Sequence, residues 1–444
     1  VAASPGRIVA LLPSQQLVVE ATTRKRLAVY RLTVPAGDAL EVRFSWRSGG
    51  DTAGQWMPAR GRQALNGALR TAFGAELHAA VRFDHSFTEV VGESGASVLR
   101  FTPPTGVLQV RFALSTTDLA GARGNLADGD GLGFDGVLRS TRSDWDALLG
   151  RLAVNAPDDV QERVSTDWYR VLAHYGRIED LDGRFRAPDG SLRRVGDGTG
   201  TIGNLDLPRE QWAMLPLLDL LAADQLRGLP ETLLLHQRVT GQFPRRTAWG
   251  WPLPDPVEGA DESSVASAVL AGFVSRGGSD IDAQRMLPPV IRASRATAWP
   301  SGYAPFDGKP SSAVSRTLAS SRGAQAVAVI AAAAGDRDTA AAYAARAVFY
   351  RLLYDPDVGA FRGRDRSGRW RNPFPPSPER PEGFEDYAEG RWAEALWAAA
   401  LFDIDGLLEL LGGQQMLGER LDAAFAAGPG AGGLDATRPS MQHT

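Results

Sequence analysis

The segment Asp135–Val154, DGVLRSTRSDWDALLGRLAV, lies where the hydrophobic pattern of this 444-residue chain changes. Its apolar residues recur every three to four positions, which is typical of an amphipathic helix. The segment Asp158–Gly176, DDVQERVSTDWYRVLAHYG, has the same period, and we expect both helices to begin at Ser or Asp caps. Residues 134–176 are therefore interpreted as linker helices between two domains.

Before this segment, the hydrophobic pattern of the chain has a period of two residues. From Leu17 to about Ser115, apolar and polar residues alternate, as in QQLVVEAT, LAVYRLTV, ELHAAVRF and VLQVRFAL. Alternating β-branched and aromatic residues, separated by Gly, Pro and Asp turns, indicate antiparallel strands that pack as a β-sandwich. Residues 1–133 are predicted to form this domain.

The chain after the linker has almost no strand signals. Helical periods are predicted near residues 207–223, 229–238, 260–275, 280–294, 311–334, 336–353, 388–411 and 414–426. The sequence thus predicts a multidomain β + α protein whose residues 177–444 form an (α/α)6-barrel-like helical domain. Such a six-hairpin barrel needs about twelve helices, a number that this chain barely approaches, so we expect the helical domain to be partial.

The composition excludes several classes of protein. With 43% hydrophobic residues, 23% charged residues and a net charge of -4, the chain is an ordinary globular protein. No basic stripe is present that could neutralise a row of phosphates, so nucleic acid is not expected as a partner. No run of about 18 apolar residues predicts a membrane span, and the lack of cysteine excludes disulfides and thiolate chemistry.

A glycine-rich loop, LADGDGLGFDG, first suggests calcium binding. It contains Asp128, Asp130 and Asp135, but Leu132 occupies the third alternate ligand position and the bidentate Glu of a calcium loop is absent. We interpret this loop as a turn before a helix and assign no metal ligands to it.

The five histidines do not form a zinc motif, because no two of them are four residues apart on a helix. Each is predicted to be a partly buried histidine with hydrogen-bond partners rather than a ligand or a catalytic base. These residues are His78, His85, His174, His236 and His443.

Aromatic and acidic residues are concentrated in one late segment, Gly363–Trp397, GRDRSGRWRNPFPPSPERPEGFEDYAEGRWAEALW. Sugar rings stack their apolar faces on aromatic side chains, and their hydroxyls bond carboxylates. The segment is therefore a candidate carbohydrate site. The alternative is a proline-rich surface loop whose acids occupy the first turn of a helix, where they favour the positive end of the helix dipole.

Several segments, in order along the chain, resemble glycoside hydrolase family 92, the calcium-dependent exo-α-mannosidases. FDGVLRSTRSDWDALLGRLAV is similar to the family's linker helix, LDGRFRAPDGSLRR to its DGRYRGPDG hairpin, and WAMLPLLDLL to its LHPLLTLL helix. GQFPR and DGLLELLGG follow at similar spacing. The resemblance implies an N-terminal β-sandwich and a C-terminal six-hairpin helical domain.

The resemblance also implies an inverting hydrolysis that uses one carboxylic acid and one carboxylate base. The family's TEGNAW motif matches AEGRW here, which makes Glu389 the candidate general acid. Its base and calcium contacts lie in a GNxDCGxMSAW segment that has no counterpart in these 444 residues. The base would then come from a missing C-terminal segment or from a companion chain.

Four further residues are assigned to substrate binding: Tyr387, Trp392, Glu258 and Trp212. The last lies in DLPREQW, which replaces the family's SLWDTYR, while TLASSRGAQ replaces TLEYAYDD and lacks its acidic pair. Arg391, two residues after Glu389, would favour the ionised carboxylate. Two functions therefore remain open: an α-mannosidase, and a non-catalytic module on the same scaffold that binds glycan or serves assembly.

Family resemblance further implies calcium as cofactor, without identifiable ligands in this chain. It implies a mannose-containing glycan as partner and a periplasmic or secreted location. The N-terminal residues, VAASPGRIVALLPSQQ, do not have the charged and apolar regions of an export signal.

Overall fold

The computed structural model describes residues 1–46, 54–59, 61–90, 96–196, 200–210, 214–253, 263–277, 282–295, 298–307, 312–374, 386 and 402–426. The chain divides into two compact units. The first comprises residues 1–206, 212–232 and 246–254, and the second 207–211, 233–245 and 255–444. In the part of the chain so described, no helix has the length and apolar character needed to cross a membrane. The domain boundaries at residues 133 and 176 stay a prediction.

Antiparallel strands form the first half of the first unit. They are β1 (Ala2–Ser4), β2 (Arg7–Leu12), β3 (Leu17–Thr23), β4 (Leu27–Thr33), β5 (Leu40–Ser45), β6 (Gly54–Pro58), β7 (Ala64–Arg70), β8 (Glu76–Phe83), β9 (Thr88–Val90), β10 (Ala96–Phe101) and β11 (Val107–Ser115). Eight strands make one sheet in the order β1-β2-β3-β4-β11-β8-β7-β6, and three make a second in the order β5-β10-β9.

Side chains of the large sheet alternate between two buried faces. In β4, Leu32 belongs to an apolar cluster that also contains Leu99 and Phe101 of the small sheet. Leu27 and Val29 of the same strand belong to a second cluster. Successive side chains of a strand point to opposite faces, so the period of two in the sequence produces a large sheet that is packed on both sides.

Helices cover the second face of the large sheet. The first unit contains α1 (Leu119–Asn125), α2 (Phe134–Leu149), α3 (Asp158–His174) and α5 (Met214–Leu221). Helix α4 (Leu207–Glu210) precedes α5 in sequence and belongs to the second unit. Ala122 of α1 and Val137 of α2 are fully buried against β4 and β8. The hairpin predicted from LDGRFRAPDGSLRR is present as β12 (Arg184–Arg186) paired with β13 (Leu192–Arg194).

The predicted Ser and Asp caps of the two linker helices are wrong. Helix α2 begins after Gly133 and α3 after Pro157, and neither residue makes a side-chain cap. Acidic residues instead lie inside the first turn, Asp135 in α2 and Asp158 in α3. There they favour the positive end of the helix dipole, so the same residues stabilise the helix start without defining it.

The first unit contains a buried carboxylate, that of Asp180, which accepts hydrogen bonds from neutral side chains. Its Oδ2 accepts hydrogen bonds from the hydroxyls of Ser115 (2.9 Å) and Thr117 (2.5 Å), and its Oδ1 from Nδ2 of Asn125 (2.7 Å). Gly121 lies directly against this cluster, because a Cβ at that position would be 2.2 Å from Oδ2 of Asp180. Helix α1 therefore needs glycine at this point.

We expect Gly121→Ala to destabilise the first unit by about 1–3 kcal/mol, the usual range for overpacking. Gly124→Ala is the matched control, because a Cβ there meets nothing within 4 Å and alanine is the better helix former by roughly 1 kcal/mol. The measurement is urea-induced unfolding of both variants. Equal stability of the two variants would contradict the close approach at Gly121.

The second unit is helical. Helix α6 (Leu229–Thr240) begins in the first unit and continues into the second, which further contains α7 (Ser263–Ser275), α8 (Ala283–Arg295), α9 (Ala313–Ala333), α10 (Arg337–Ala347), α11 (Ile404–Leu411) and α12 (Gln414–Ala426). Helices α6 to α10 and α12 begin within about three residues of the predicted helices. Of the helix predicted at 388–411, residues 404–411 are helical and 388–401 lie outside the described residues. The predicted helix at 207–223 is two helices, α4 and α5, among the described residues, and that at 336–353 ends in a 3₁₀ segment, Val348–Leu353.

Helix α9 is the centre of the second unit. It packs against α7, α8 and α10, and its fully buried residues include Val314, Val327 and Ile330. Small residues let neighbouring helices approach closely, as at Gly323, where a Cβ would be 3.3 Å from Cβ of Ser264. Such a helix is apolar around most of its circumference, as expected for a buried one.

Candidate functional site

The predicted site residues Glu389, Tyr387, Trp392, Glu258 and Trp212 lie outside the described residues. Between residues 375 and 401 the structure describes one residue, Asp386, which stands three positions before Glu389 in the sequence. Asp386 has no exposed surface. A buried carboxylate is stable only where hydrogen bonds and an opposite charge replace its water.

Arginine and a backbone amide hold the Asp386 carboxylate. Arg371 donates from Nε (2.7 Å), and its Nη2 lies 2.6 Å from the same oxygen, Oδ1. The amide of Gly363 donates to Oδ2 at 3.2 Å. A Cβ at Gly363 would be 2.4 Å from Oδ2, so glycine is required for this approach.

The backbone of Asp386 is bonded to the start of α9. Its carbonyl oxygen accepts from the amides of Val314 (2.9 Å) and Ser315 (3.4 Å). The first amides of a helix have no acceptor within the helix, and Ser312, which precedes α9, offers no side-chain cap. Asp386 supplies this missing acceptor and is thereby fixed to the central helix of the second unit.

Arg371, the partner of Asp386, belongs to a short hairpin whose two arms pair at Arg364 and Trp370. The guanidinium of Arg371 lies 4.2 Å from the ring centre of Phe306. The backbone carbonyl of Arg371 accepts a hydrogen bond from Nε of Arg362 at 2.7 Å. Arg362 in turn pairs with the buried Asp355 at 2.9 Å. Stacking and pairing on both sides fix the guanidinium that neutralises Asp386.

The tip of this hairpin is a turn around Asp365. Its carboxylate accepts from the hydroxyl of Ser367 (2.7 Å) and from the amide (2.9 Å) and Nε (2.8 Å) of Arg369. These hydrogen bonds, first that of Ser367, hold the pKa of Asp365 well below its ordinary value. Arg364 stacks on Trp370, with its guanidinium 3.7 Å from the ring centre.

Sequence reasoning gave Asp386 no role of its own. It is one of five acids in the segment 382–394, and its spacing from Glu389 follows no known acid pair. Its carboxylate is held by Arg371, fifteen residues earlier, and by Gly363 in the opposite arm of the hairpin. The only signal in the sequence is the pairing of a glycine and an arginine in one hairpin with an acid further along.

The described residues do not provide a calcium site. Among them, no group of three or more His, Asp or Glu side chains converges on one point. The loop around Asp128 is a turn before α2, and its acids pair with arginine: Asp128 with Arg24 at 3.0 Å and Asp135 with Arg31 at 3.0 Å. No chemical step through calcium is derived from these residues.

His236 of α6 differs from the prediction that every histidine has partners. It is 2% exposed, and its Nδ1 has no hydrogen-bond partner among the described residues. Burial lowers the pKa of the His236 imidazole from its ordinary 6.5 to about 4, because a charged ring would lose its hydration. The folded protein thus holds this ring neutral.

We expect His236 to make stability depend on pH between about 6.5 and 4. Because the folded-state pKa is depressed, the contribution is fully present above pH 6.5 and is lost as pH falls toward 4. The full loss is roughly 3 kcal/mol, of which about 2 kcal/mol occurs by pH 5. Measured by urea unfolding, the loss of stability between about pH 7 and about pH 5 should be about 2 kcal/mol smaller in His236→Leu than in wild type.

His85→Gln is the control, since the His85 side chain is 32% exposed and pairs with Asp84. Other groups that titrate in this range are common to all three proteins and cancel in the comparison. The same loss of stability in wild type and His236→Leu would contradict the neutral buried ring.

Known structures share this fold. A family GH92 α-mannosidase from Bacteroides thetaiotaomicron, in complex with mannoimidazole, is 21% identical, with a TM-score of 0.79 over 96% of this chain and 60% of that chain. A family GH92 inverting mannosidase from B. thetaiotaomicron VPI-5482 is 19% identical, with a TM-score of 0.81 over 95% and 60%. The chain thus spans about 60% of the length of these relatives.

These matches confirm the predicted fold class, an N-terminal antiparallel β-sandwich followed by helices of the α/α-barrel type. No curated protein is significantly similar in sequence. The family model of the glycosyl hydrolase family 92 catalytic domain matches residues 121–442, which include the Asp386 cluster. Because this match covers more than half of the chain, the protein belongs to glycosyl hydrolase family 92.

Proposed function

We propose that this protein is an exo-acting, inverting α-mannosidase in which Glu389 is the general acid. Its family membership supports a glycosidase, and the solved relatives named above are an α-mannosidase and an inverting mannosidase. A periplasmic or secreted location and dependence on calcium belong to the same proposal and rest on the family alone.

The observation that supports this proposal best is the environment of Asp386. Covalent geometry keeps the Cα of Glu389 within about 11 Å of the Cα of Asp386. Asp386 is bonded through its carbonyl to α9 and through its carboxylate to Arg371 and Gly363. A general acid must be held within hydrogen-bond reach of the oxygen that it protonates, and a fixed residue nearby in the chain serves that need.

In the proposed reaction, the protonated carboxyl of Glu389 donates its proton to the glycosidic oxygen as the bond to the anomeric carbon breaks. A second carboxylate removes a proton from a water molecule, which attacks the opposite face of the sugar. The two carboxyl groups of an inverting enzyme are about 6.5–9.5 Å apart, so that this water fits between them. We assign no residue of this chain to the base.

The test is hydrolysis of an unactivated α-mannobioside by the full gene product, with added calcium and with a chelator. Proton NMR of the first-formed mannose should show the β-anomer, because inversion reverses the anomeric configuration. First formation of the α-anomer would contradict the inverting mechanism. No hydrolysis of any α-mannoside with calcium present would contradict the enzyme.

A second function, glycan binding without hydrolysis, is favoured by the packing of α9. The family's acidic pair in TLEYAYDD is replaced here by residues of α9 that include Gly323, where a Cβ would be 3.3 Å from Ser264. A Cβ at this position would require Ser264 to move by a few tenths of an ångström. Calorimetry distinguishes the two functions: mannoside binding with no turnover supports the binding module, and turnover supports the enzyme.

A further inference from the structure

A groove lies between α6 and α8 in the second unit. Its volume is about 630 Å³, which is within the range of small-molecule sites, about 300–1,000 Å³. The lining residues all belong to the described part of the chain: Leu234, Gln237, Arg238, Gly241, Arg285, Pro288, Pro289 and Arg292. None of them is acidic, and three are arginine.

The base of the groove is built from buried side chains. Leu234 and Gln237 are each 8% exposed, so more than nine-tenths of each is covered. The Gln237 amide makes two long hydrogen bonds, accepting from Nη2 of Arg292 at 3.4 Å and donating to the carbonyl of Gly241 at 3.4 Å. At this length both bonds are weak, and a ligand atom with better geometry can replace them.

Two arginines of this groove, Arg238 and Arg292, do not pair with a carboxylate among the described residues. Several arginines of the second unit pair with carboxylates, as Arg351 does with Asp403 and Arg362 with Asp355. By contrast, no described carboxylate lies within ion-pair distance of Arg238 or Arg292. Both arginines lie in the last turn of a helix, where a positive charge interacts favourably with the helix dipole. That interaction accounts for a basic residue at each helix end, but it does not account for two arginines that line the same groove beside a buried amide.

We propose that this groove binds a small organic anion, a sugar acid or a sulfate ester. The guanidinium groups of Arg238 and Arg292 present planar donor pairs that match a carboxylate or sulfate. The rings of Pro288 and Pro289 provide an apolar wall for the body of the ligand. This site is separate from the Asp386 cluster and does not depend on the proposed mannosidase activity.

The test is calorimetric titration of the full protein with glucuronate, with glucose as the neutral analogue and with inorganic sulfate. We expect glucuronate to bind at millimolar concentration or below, and glucose and sulfate to bind at least about tenfold more weakly. Binding should weaken as sodium chloride is raised, because salt screens exposed charges.

Two substitutions in the groove and one beside it complete the test. Arg238→Gln and Arg292→Gln should each weaken glucuronate binding about tenfold or more, since each removes a charge-assisted hydrogen bond. Arg295→Gln is the matched control, because Arg295 is an exposed arginine of the same helix α8 that does not line the groove. Thermal melting checks that all three variants fold.

Four outcomes would overturn the proposal. They are the absence of binding at millimolar glucuronate, equal binding of glucose, equal binding of inorganic sulfate, and equal weakening by Arg295→Gln. The third would show that the groove attracts any anion and has no site for an organic body. Measurements of mannoside hydrolysis do not enter these comparisons, so failure of the proposed enzyme leaves the outcome unchanged.

Discussion

Glu389→Gln is expected to lower kcat for an unactivated α-mannobioside by about 10²–10⁴-fold, the usual contribution of a general acid. Glutamine keeps the size and shape of the side chain but has no proton to transfer to the glycosidic oxygen. Because substrate contacts are conserved, we expect KM to change only a few-fold. The measurement is steady-state hydrolysis by the full gene product with calcium present.

The nature of the leaving group makes this prediction specific. An aryl α-mannoside has a leaving group that departs readily without a proton, so Glu389→Gln should impair its hydrolysis much less. A residue that acts only in folding or in sugar binding would impair both substrates equally. An equal decrease in kcat on the two substrates would therefore contradict the assignment of Glu389 as the general acid.

Glu394→Gln provides the matched control for this experiment. It changes another carboxylate of the same segment, five residues further along, to which the resemblance gives no catalytic role. We expect its kcat to stay within a few-fold of wild type on both substrates. Loss of activity as large as that of Glu389→Gln would show that the segment responds to any loss of negative charge.

The sequence was sufficient to predict the fold class because its signals are local. The alternation in LAVYRLTV places Leu27 and Val29 on one face of β4 and Leu32 on the other, and the structure buries both faces. Helical periods likewise predicted α6 to α9 and α12 to within about three residues. Helix starts were harder, because Gly133 and Pro157 precede α2 and α3 without capping them.

The candidate site was less predictable because its interactions are tertiary. Nothing in the neighbouring sequence distinguishes Asp386 from Glu382 or Glu385, since its carboxylate contacts Arg371 and Gly363, which lie earlier in the chain. The neutral state of His236 likewise follows from desolvation, which depends on what packs against α6. The resemblance predicted Glu389 as the acid but could not show what holds Asp386, three residues earlier, in place.

The Asp386 cluster leads to the largest expected effect on stability. Arg371→Met removes the guanidinium that pairs with the buried carboxylate of Asp386, while a similar side-chain volume remains over Phe306. Breaking a buried ion pair on one side typically costs about 3–5 kcal/mol, because the other charge stays desolvated. We expect this loss in the urea unfolding of the second unit at neutral pH.

Arg369→Met is the matched control in the same hairpin. Arg369 also pairs with an aspartate, Asp365, but its side chain is 83% exposed, whereas that of Arg371 is 26% exposed. An ion pair whose cation is this exposed to solvent contributes at most about 1 kcal/mol. Similar effects of the two substitutions would contradict the view that the largely buried position of Arg371 makes its loss costly.

A double-mutant cycle then separates the ion pair from the packing of Arg371. If the cost of Arg371→Met arises from an uncompensated charge, Asp386→Asn should recover much of it, because the neutral amide needs no cation. If the cost arises from the lost stacking on Phe306, the double variant should be no more stable than Arg371→Met. Recovery of stability would therefore identify Asp386 as the residue that makes Arg371 necessary, in the segment that carries the proposed acid.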